Sequence, residues 1–375
     1  MKIAIVSERR SYLFQLAIEL MKHDDMEVTV YTILPAVRCR NMGYKGPLVT
    51  AFFPLILAVL IEKIPFINPY KRSNLRIRLR IFYDWYVSRR LKRCDVLIGG
   101  NGSTVKASVR AREKYGAITI CDQGSSHILQ QNAVRLSYSD VVPPQINTNY
   151  MLRHYNTVDY IMSPSTYVKK SNLDNGITAN RILYNPFGVD LNVFRPTQKP
   201  GQDSYDVIMV GSWWKHKGCD MLAEACINKL GVSLLHVGSV IDCKLPDSPL
   251  FSHIDFVPEY ELPKYYAQAK VFSMPSLDEG LGLVQLQAAA CGLPVVGSTR
   301  SGVLDLSQLL GNPKECITVE EPLNVDNIAA AITAALKIAA AMPEGPRDQY
   351  QSKIHELSWE AYGERYYEIL KTIIG

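Results

Sequence analysis

Residues 275–292 read PSLDEGLGLVQLQAAACG and hold the densest chemical signal in the chain. An apolar run, VFSMPS, ends at Ser276; Glu279 follows, then Gly280-Leu281-Gly282-Leu283 and an amphipathic run. A glycine-containing loop that opens a helix presents backbone N–H groups at the positive end of the helix dipole. That arrangement receives anions, phosphate above all. Glu279 beside it offers a carboxylate that accepts hydrogen bonds from sugar hydroxyls. A plain strand-to-helix turn, with glycines serving chain geometry alone, has the same local pattern.

Four further stretches bear on chemistry. His127 lies in CDQGSSHI, directly after the apolar run AITICD. Doubly wound sheets place site residues beyond the carboxyl ends of their strands; a structural histidine is the equal alternative. Arg9 and Arg10, in SERRSYLFQL, either face an anionic ligand or flank the first helix. Residues 48–61, LVTAFFPLILAVLI, are fourteen residues without a charge, interrupted by Pro54. A membrane-spanning helix needs about 20, so a buried or interfacial segment is expected. Just beyond, residues 71–93 hold nine basic side chains, Arg76 and Arg80 among them, against one acid, Asp84. A solvated helix face reads this way. So does a cationic patch beside an apolar edge, suited to anionic lipid headgroups or a lipid diphosphate.

The elements that would position these residues alternate along the chain. KIAIV (2–6), EVTVYTI (27–33), DVLIGG (95–100), AITICD (117–122) and DYIMSPS (159–165) read as strands buried on both faces, with helices at 12–23, 104–115 and 166–175. Residues 185–204, NPFGVDLNVFRPTQKPGQDS, break the pattern with prolines, glycines and polar residues, as a linker does. Strands then recur at 206–211, 233–238, 254–257, 271–276, 294–298 and 316–320, with helices near 218–230, 261–270, 283–291 and 325–341 and a last amphipathic helix, SWEAYGERYYEILKTII. Alternation on both sides of a linker predicts two doubly wound α/β domains. The expected division is 1–186, a linker 187–204, and 205–355, with 356–375 returning to the first domain.

Composition excludes several classes. The chain has 375 residues, 47% apolar and 21% charged, which is ordinary for a globular protein. A formal charge of +5 is too mild to imply a nucleic-acid partner. The eight cysteines show no CxxC pair or Cys/His ligand spacing, so no metal site is expected and buried reduced thiols of a cytoplasmic protein are. The opening MKIAIVS reads directly as a strand, and no signal peptide is expected.

The stretch PSLDEGLGLVQLQAAACGLPVV resembles the donor-site signature of the family 4 glycosyltransferases, roughly PSxxEGFGLVxLEAMACGxPVV. GVDLNVF (188–194), VGSWWKHKGCDML (210–222) and TRSGVLDL (299–306) resemble further motifs of that family, and DYIMSPSTYVKKSNLDNG (159–176) resembles the last unit of its acceptor domain. The resemblance covers most of 159–340 and is thin over 34–94. It implies the GT-B fold, two Rossmann-like domains facing across a cleft, and a retaining transfer of a sugar from a UDP- or GDP-linked donor. The acceptor would be a glycan or lipid-linked hydroxyl in polysaccharide or glycolipid synthesis. By position, Glu279 matches the acid on the transferred sugar, Gly280 to Leu283 the diphosphate cradle, and Lys217 the cation that neutralises the leaving diphosphate. His127 resembles the histidine that lines the donor pocket near the sugar. No cofactor is implied beyond the nucleotide-sugar co-substrate.

The chain departs from the family in three places. Gln287 stands where a glutamate takes ribose hydroxyls, which removes a charge-assisted bond. Ser212 stands where an arginine is usual, with Lys215 as a substitute cation. Arg9 and Arg10 replace the flexible glycines of the first loop. The chain contains no Asp-x-Asp triplet, which fits a metal-independent enzyme. These departures keep open a non-catalytic nucleotide-sugar-binding partner, and the fold keeps open a nucleotide-sugar epimerase or a glycan phosphorylase. Localisation is expected to be cytoplasmic, with peripheral contact on the inner face of an anionic membrane.

Overall fold

The computed structural model describes residues 1–8, 11–51, 56–57, 69–139, 141–201, 204–350 and 352–375. Arg9, Arg10 and most of the apolar run after Ala51 lie outside the described residues. Two compact units form. The first comprises Met1–Ser163, Ser171–Asn185 and Gly363–Gly375; the second comprises Pro164–Lys170 and Pro186–Tyr362.

The first unit holds seven described strands: β1 (Lys2–Val6), β2 (Glu27–Thr32), β3 (Leu48–Thr50), β4 (Val96–Gly100), β5 (Ile118–Asp122), β6 (Tyr160–Ser163) and β7 (Ile182–Tyr184). They pair in parallel in the order β3-β2-β1-β4-β5-β6-β7. The helices are α1 (Tyr12–Leu20), α2 (Ala36–Asn41), α3 (Pro69–Arg90), α4 (Val105–Tyr115), α5 (Ile128–Leu136), α6 (Gln145–Thr157) and α7 (Thr166–Asp174), the last crossing between the units. The central strands are apolar almost throughout because both faces are covered: Ile5, Val30, Leu97 and Ile98 are fully buried. Tyr83 and Val87 of α3 pack against Leu97 and Tyr31.

The second unit holds β8 (Tyr205–Val210), β9 (Leu234–Val237), β10 (Phe251–Ile254), β11 (Ala269–Met274), β12 (Val295–Ser298) and β13 (Cys316–Val319), in the parallel order β10-β9-β8-β11-β12-β13. Its helices are α8 (Cys219–Ala223), α9 (Leu262–Tyr266), α10 (Leu283–Ala290), α11 (Val303–Leu309), α12 (Val325–Ala341) and α13 (Trp359–Ile374). Residues 187–201 pack within this unit: Phe187 and Phe194 are buried, and Val189 N–H donates to the Leu357 carbonyl at 2.7 Å. The last helix belongs to the second unit up to Tyr362 and to the first from Gly363.

The departures from the sequence-based expectation fall mostly at sheet edges. The strand expected at 254–257 is Phe251–Ile254, in register with β9 through Phe251↔Leu234. An edge strand buries one side only, so an apolar run does not mark its bounds. The first three residues of the apolar run 48–61 are edge strand β3, paired with β2 through Val30↔Leu48. The helix expected over 218–230 is α8 followed by a π-helical turn, Glu224–Leu230. The basic stretch 71–93 is mostly helix α3. All eight cysteines are free, and seven of them are buried. Among the described residues no helix is long and apolar enough to cross a membrane.

In the first unit α13 lies against α1 at Gly363. A Cβ placed there would collide with the side chain of Glu19, itself held by an ion pair to Lys22 at 2.5 Å. Gly363→Val should therefore destabilise the fold by about 1–3 kcal/mol through overpacking, read as a lowered midpoint in chemical denaturation.

Candidate functional site

In the second sheet the chain leaves β8 towards β9 and β10, then returns to the other side of β8 with β11. The loops after β8 and β11 therefore turn away from each other above adjacent strand ends. A crevice opens at such a switch point, and it is where open α/β sheets bind ligands. Lys217 and Glu279 stand on these two loops.

The first loop is built by glycines under close constraint. Gly218 closes the one-turn helix Lys215–Lys217 at φ +70°, and a Cβ there would collide with the Pro275 carbonyl. The loops are tied where Leu277 N–H donates to the His216 carbonyl at 2.9 Å. Lys217 Nζ consequently forms an ion pair with the Glu279 carboxylate. Burial pulls the Lys217 ammonium down to about 8, against the opposing pull of nearby groups that include Asp278. Asp278 is itself buried. The ammonium is thus paired with one carboxylate of the second loop, and a second, Asp278, acts on it through its charge.

That second loop is anchored on both sides. Glu279 N–H donates to the Arg300 carbonyl at 2.8 Å, and the Ser165 hydroxyl donates to the Gly280 carbonyl. Leu281 is buried, and Gly302, at φ +77°, leaves room for it: a Cβ there would lie 2.7 Å from Leu281 Cδ1. Gly282 caps α10 without a side-chain hydrogen bond, and the first turn, beginning at Leu283, carries no acid. In the first turn Gln285 N–H donates to the Gly282 carbonyl at 2.8 Å, and the positive end of the α10 dipole faces an anion without a competing carboxylate in that turn.

Gln287 does not stand open to a ligand. Its Oε1 accepts from the Tyr266 hydroxyl and its Nε2 donates to Glu259 Oε1, each at 3.3 Å. Ser212 Oγ shares a hydrogen bond with Ser239 Oγ at 3.3 Å. Lys215 is exposed, with its backbone N–H on Asp242 at 2.9 Å. The sequence reading passed over Asp278, Arg300, His216 and Glu259. Arg300 lies in the quoted TRSGVLDL, and its side chain forms an ion pair with Glu321 at 3.3 Å.

In the first unit His127 caps α5. Its Nδ1 accepts from Leu129 N–H at 3.3 Å, its backbone N–H donates to Ser171 Oγ at 2.9 Å, and its ring lies tilted against Tyr155 with centroids 4.6 Å apart. Burial pulls the imidazole down to about 4, so it is neutral at ordinary pH with its proton on Nε2. Burial pushes the Asp122 carboxyl up to about 7, and the Tyr12 hydroxyl donates to the Asp122 backbone carbonyl at 3.3 Å. Arg76 and Arg80 line a separate cavity of this unit.

Lys217 binds anions only in its charged form, which prevails below pH 8 and is lost above it. Affinity for a nucleoside diphosphate should fall as pH rises from 8 to 9.5, and Lys217→Met should abolish that dependence. Calorimetric titration across the range checks both.

Residues 204–337 match the family model described as "Glycosyl transferases group 1". The O-antigen chain mannosyltransferase B of Escherichia coli is 39% identical over 85 residues, 23% of this chain and 21% of its own length. A GDP-mannose-dependent alpha-(1-6)-phosphatidylinositol monomannoside mannosyltransferase of Mycolicibacterium smegmatis is 36% identical over 137 residues, 33% of this chain and 34% of its own. The chain thus matches at most about a third of the length of these curated relatives. Sucrose-phosphate synthase of Thermosynechococcus elongatus superposes with a TM-score of 0.66 at 16% identity, covering 100% of this chain and 99% of that one. HepE of Anabaena, solved with UDP and glucose, gives 0.62 at 14% identity, covering 99% and 100%. The fold is the doubly wound, two-sheet GT-B fold, and the chain resembles the group 1 glycosyltransferases through residues 204–337.

Proposed function

We propose that the protein is a retaining, metal-independent hexosyltransferase of GT-B type. It moves a sugar from a nucleotide diphosphate donor to a hydroxyl of a glycan or lipid-linked acceptor. The observation that carries this reading is the Lys217–Glu279 pair at the switch point of the second sheet, beside the uncapped start of α10. Departure of a nucleoside diphosphate builds negative charge on its terminal phosphate. Lys217 and the amides of Gly280 to Leu283 are positioned to receive that charge. Glu279 exchanges part of its ion pair for hydroxyls of the transferred sugar. The acceptor hydroxyl attacks on the face the diphosphate leaves, and the departing phosphate oxygen takes its proton.

Glu259 takes over the role that Gln287 does not fill. Its carboxylate lies on the Gln287 amide and supplies an anionic acceptor for ribose hydroxyls. Mannosyl relatives, one of them named for its use of GDP-mannose, make that donor the first to test, with UDP-glucose second. Glu279→Gln should lower kcat by about a hundredfold or more with the fold intact, the scale of losing one group that stabilises the transition state. Glu259→Gln should instead raise KM for the donor. Wild-type turnover in Glu279→Gln, or no shift in Tm with GDP or UDP at high concentration, would sink the assignment.

The same reading places the enzyme in the cytoplasm, against the inner face of a membrane, in polysaccharide or glycolipid synthesis. Its support is a face of α3 on which Leu75, Phe82 and Trp85 are exposed in line with Arg78 and Arg89. Apolar and aromatic side chains among arginines suit the interface of an anionic bilayer. Flotation with phosphatidylglycerol vesicles should recover the protein at low salt, and Phe82→Ser with Trp85→Ser should reduce recovery. Equal recovery with phosphatidylcholine would remove the electrostatic part of the idea.

A further inference from the structure

The first sheet has its own switch point. The chain leaves β1 towards β2 and β3 and returns on the other side of β1 with β4. Above these strand ends lies a cavity of about 400 Å³, lined by the loops after β1 and β4, the start of α1, and one side of α3. Among the described residues its charged lining side chains are Arg76, Arg80 and one acid, Glu8.

Arg80 is half-buried, and among the described residues no carboxylate lies within ion-pair distance of it. Its Nη2 donates to the neutral amide of Asn147, and its Nε is buried with no hydrogen-bond partner. The acid one turn on, Asp84, is engaged elsewhere: it accepts from Tyr150 OH and from the backbone N–H groups of Lys106 and Ala107. His154, kept neutral by burial and then by the charge of Arg80, accepts from Gly102 N–H at 3.0 Å. The guanidinium thus faces a cavity of ligand size with no ion-pair partner of its own among the described residues, and Glu8 is the one described acid on that cavity's wall. Leaving a partly buried cation uncompensated is costly, and an anion in the cavity would compensate it.

We propose that this cavity binds the phosphate group of a phosphorylated acceptor, with Arg80 and Arg76 on the phosphate and Ser7, Ser11 and Ser103 near its hydroxyls. A guanidinium suits phosphate better than a point charge does, because its fork donates two parallel hydrogen bonds. The word acceptor rests on the transferase reading; the anion site rests on the cavity alone. The phosphate is either that of a lipid carrier or that of a soluble sugar phosphate.

The test uses the full chain carrying Lys217→Ala, which weakens anion binding at the site in the second unit. Calorimetry measures binding of mannose 6-phosphate, of mannose, and of a short-chain prenyl phosphate in detergent. The phosphorylated probes should bind and mannose should not. Arg80→Gln should weaken phosphate binding about tenfold or more, and Arg80→Lys should restore part of it. Arg76→Gln, on an exposed residue, serves if Arg80→Gln does not fold. Tighter binding of the prenyl phosphate assigns the phosphate to a lipid, and tighter binding of mannose 6-phosphate to a soluble acceptor; either supports the site. Unchanged phosphate binding in the glutamine variants, or mannose bound as tightly as its phosphate, overturns it. Nucleotide binding is read separately on the chain with Lys217 intact. Its absence alongside retained phosphate binding rejects the transferase reading and leaves the anion site standing.

Discussion

A parallel sheet that grows from its first strand in both directions cannot close the space above that strand. The connections on the two sides turn away from each other, and adjacent strand ends are left beneath an open crevice. Both sheets of this chain are built this way, between β8 and β11 in the second unit and between β1 and β4 in the first. Everything of chemical interest follows from where those crevices open. Lys217 and Glu279 lie 62 positions apart in sequence and meet because their loops rise from neighbouring strands. Arg80 reaches the other crevice from the long helix α3.

The glycines in the second unit have a definite physical task. Gly218 lets the chain turn under the Pro275 carbonyl, and Gly302 leaves space for Leu281. Without those close approaches the two loops would stand apart, and the ammonium of Lys217 would lack the carboxylate it meets at Glu279. A partly buried pair of this kind contributes little net stability, because desolvation offsets its attraction. Its value is that each partner is already held where a ligand can replace the other.

The strands were legible because burial on both faces writes itself as continuous apolar runs, as in KIAIV, DVIMV and VFSM. Edge strands β3, β7 and β10 were missed or displaced, since a strand with one neighbour needs no such run. The PSLDEGLG stretch marked its loop clearly because strand, acid and glycines are contiguous. Glu259 gave no such signal. Its relation to Gln287 depends on the hydrogen bond of that amide and on Tyr266, which are far from each other in sequence and adjacent only in the fold.

What the sequence by itself determined was the alternation of elements, the presence of two sheets, and the residue types of the phosphate-binding turn, since all of these are local patterns of polarity and chain flexibility. Only the tertiary structure decided which charges meet. It pairs Lys217 with Glu279, gives the Gln287 amide to Glu259, and leaves Arg80 on a cavity wall with no carboxylate within ion-pair distance among the described residues. The physical reason is that partners in a doubly wound sheet are set by strand order, and strand order is fixed by how distant segments pack rather than by any one segment's composition.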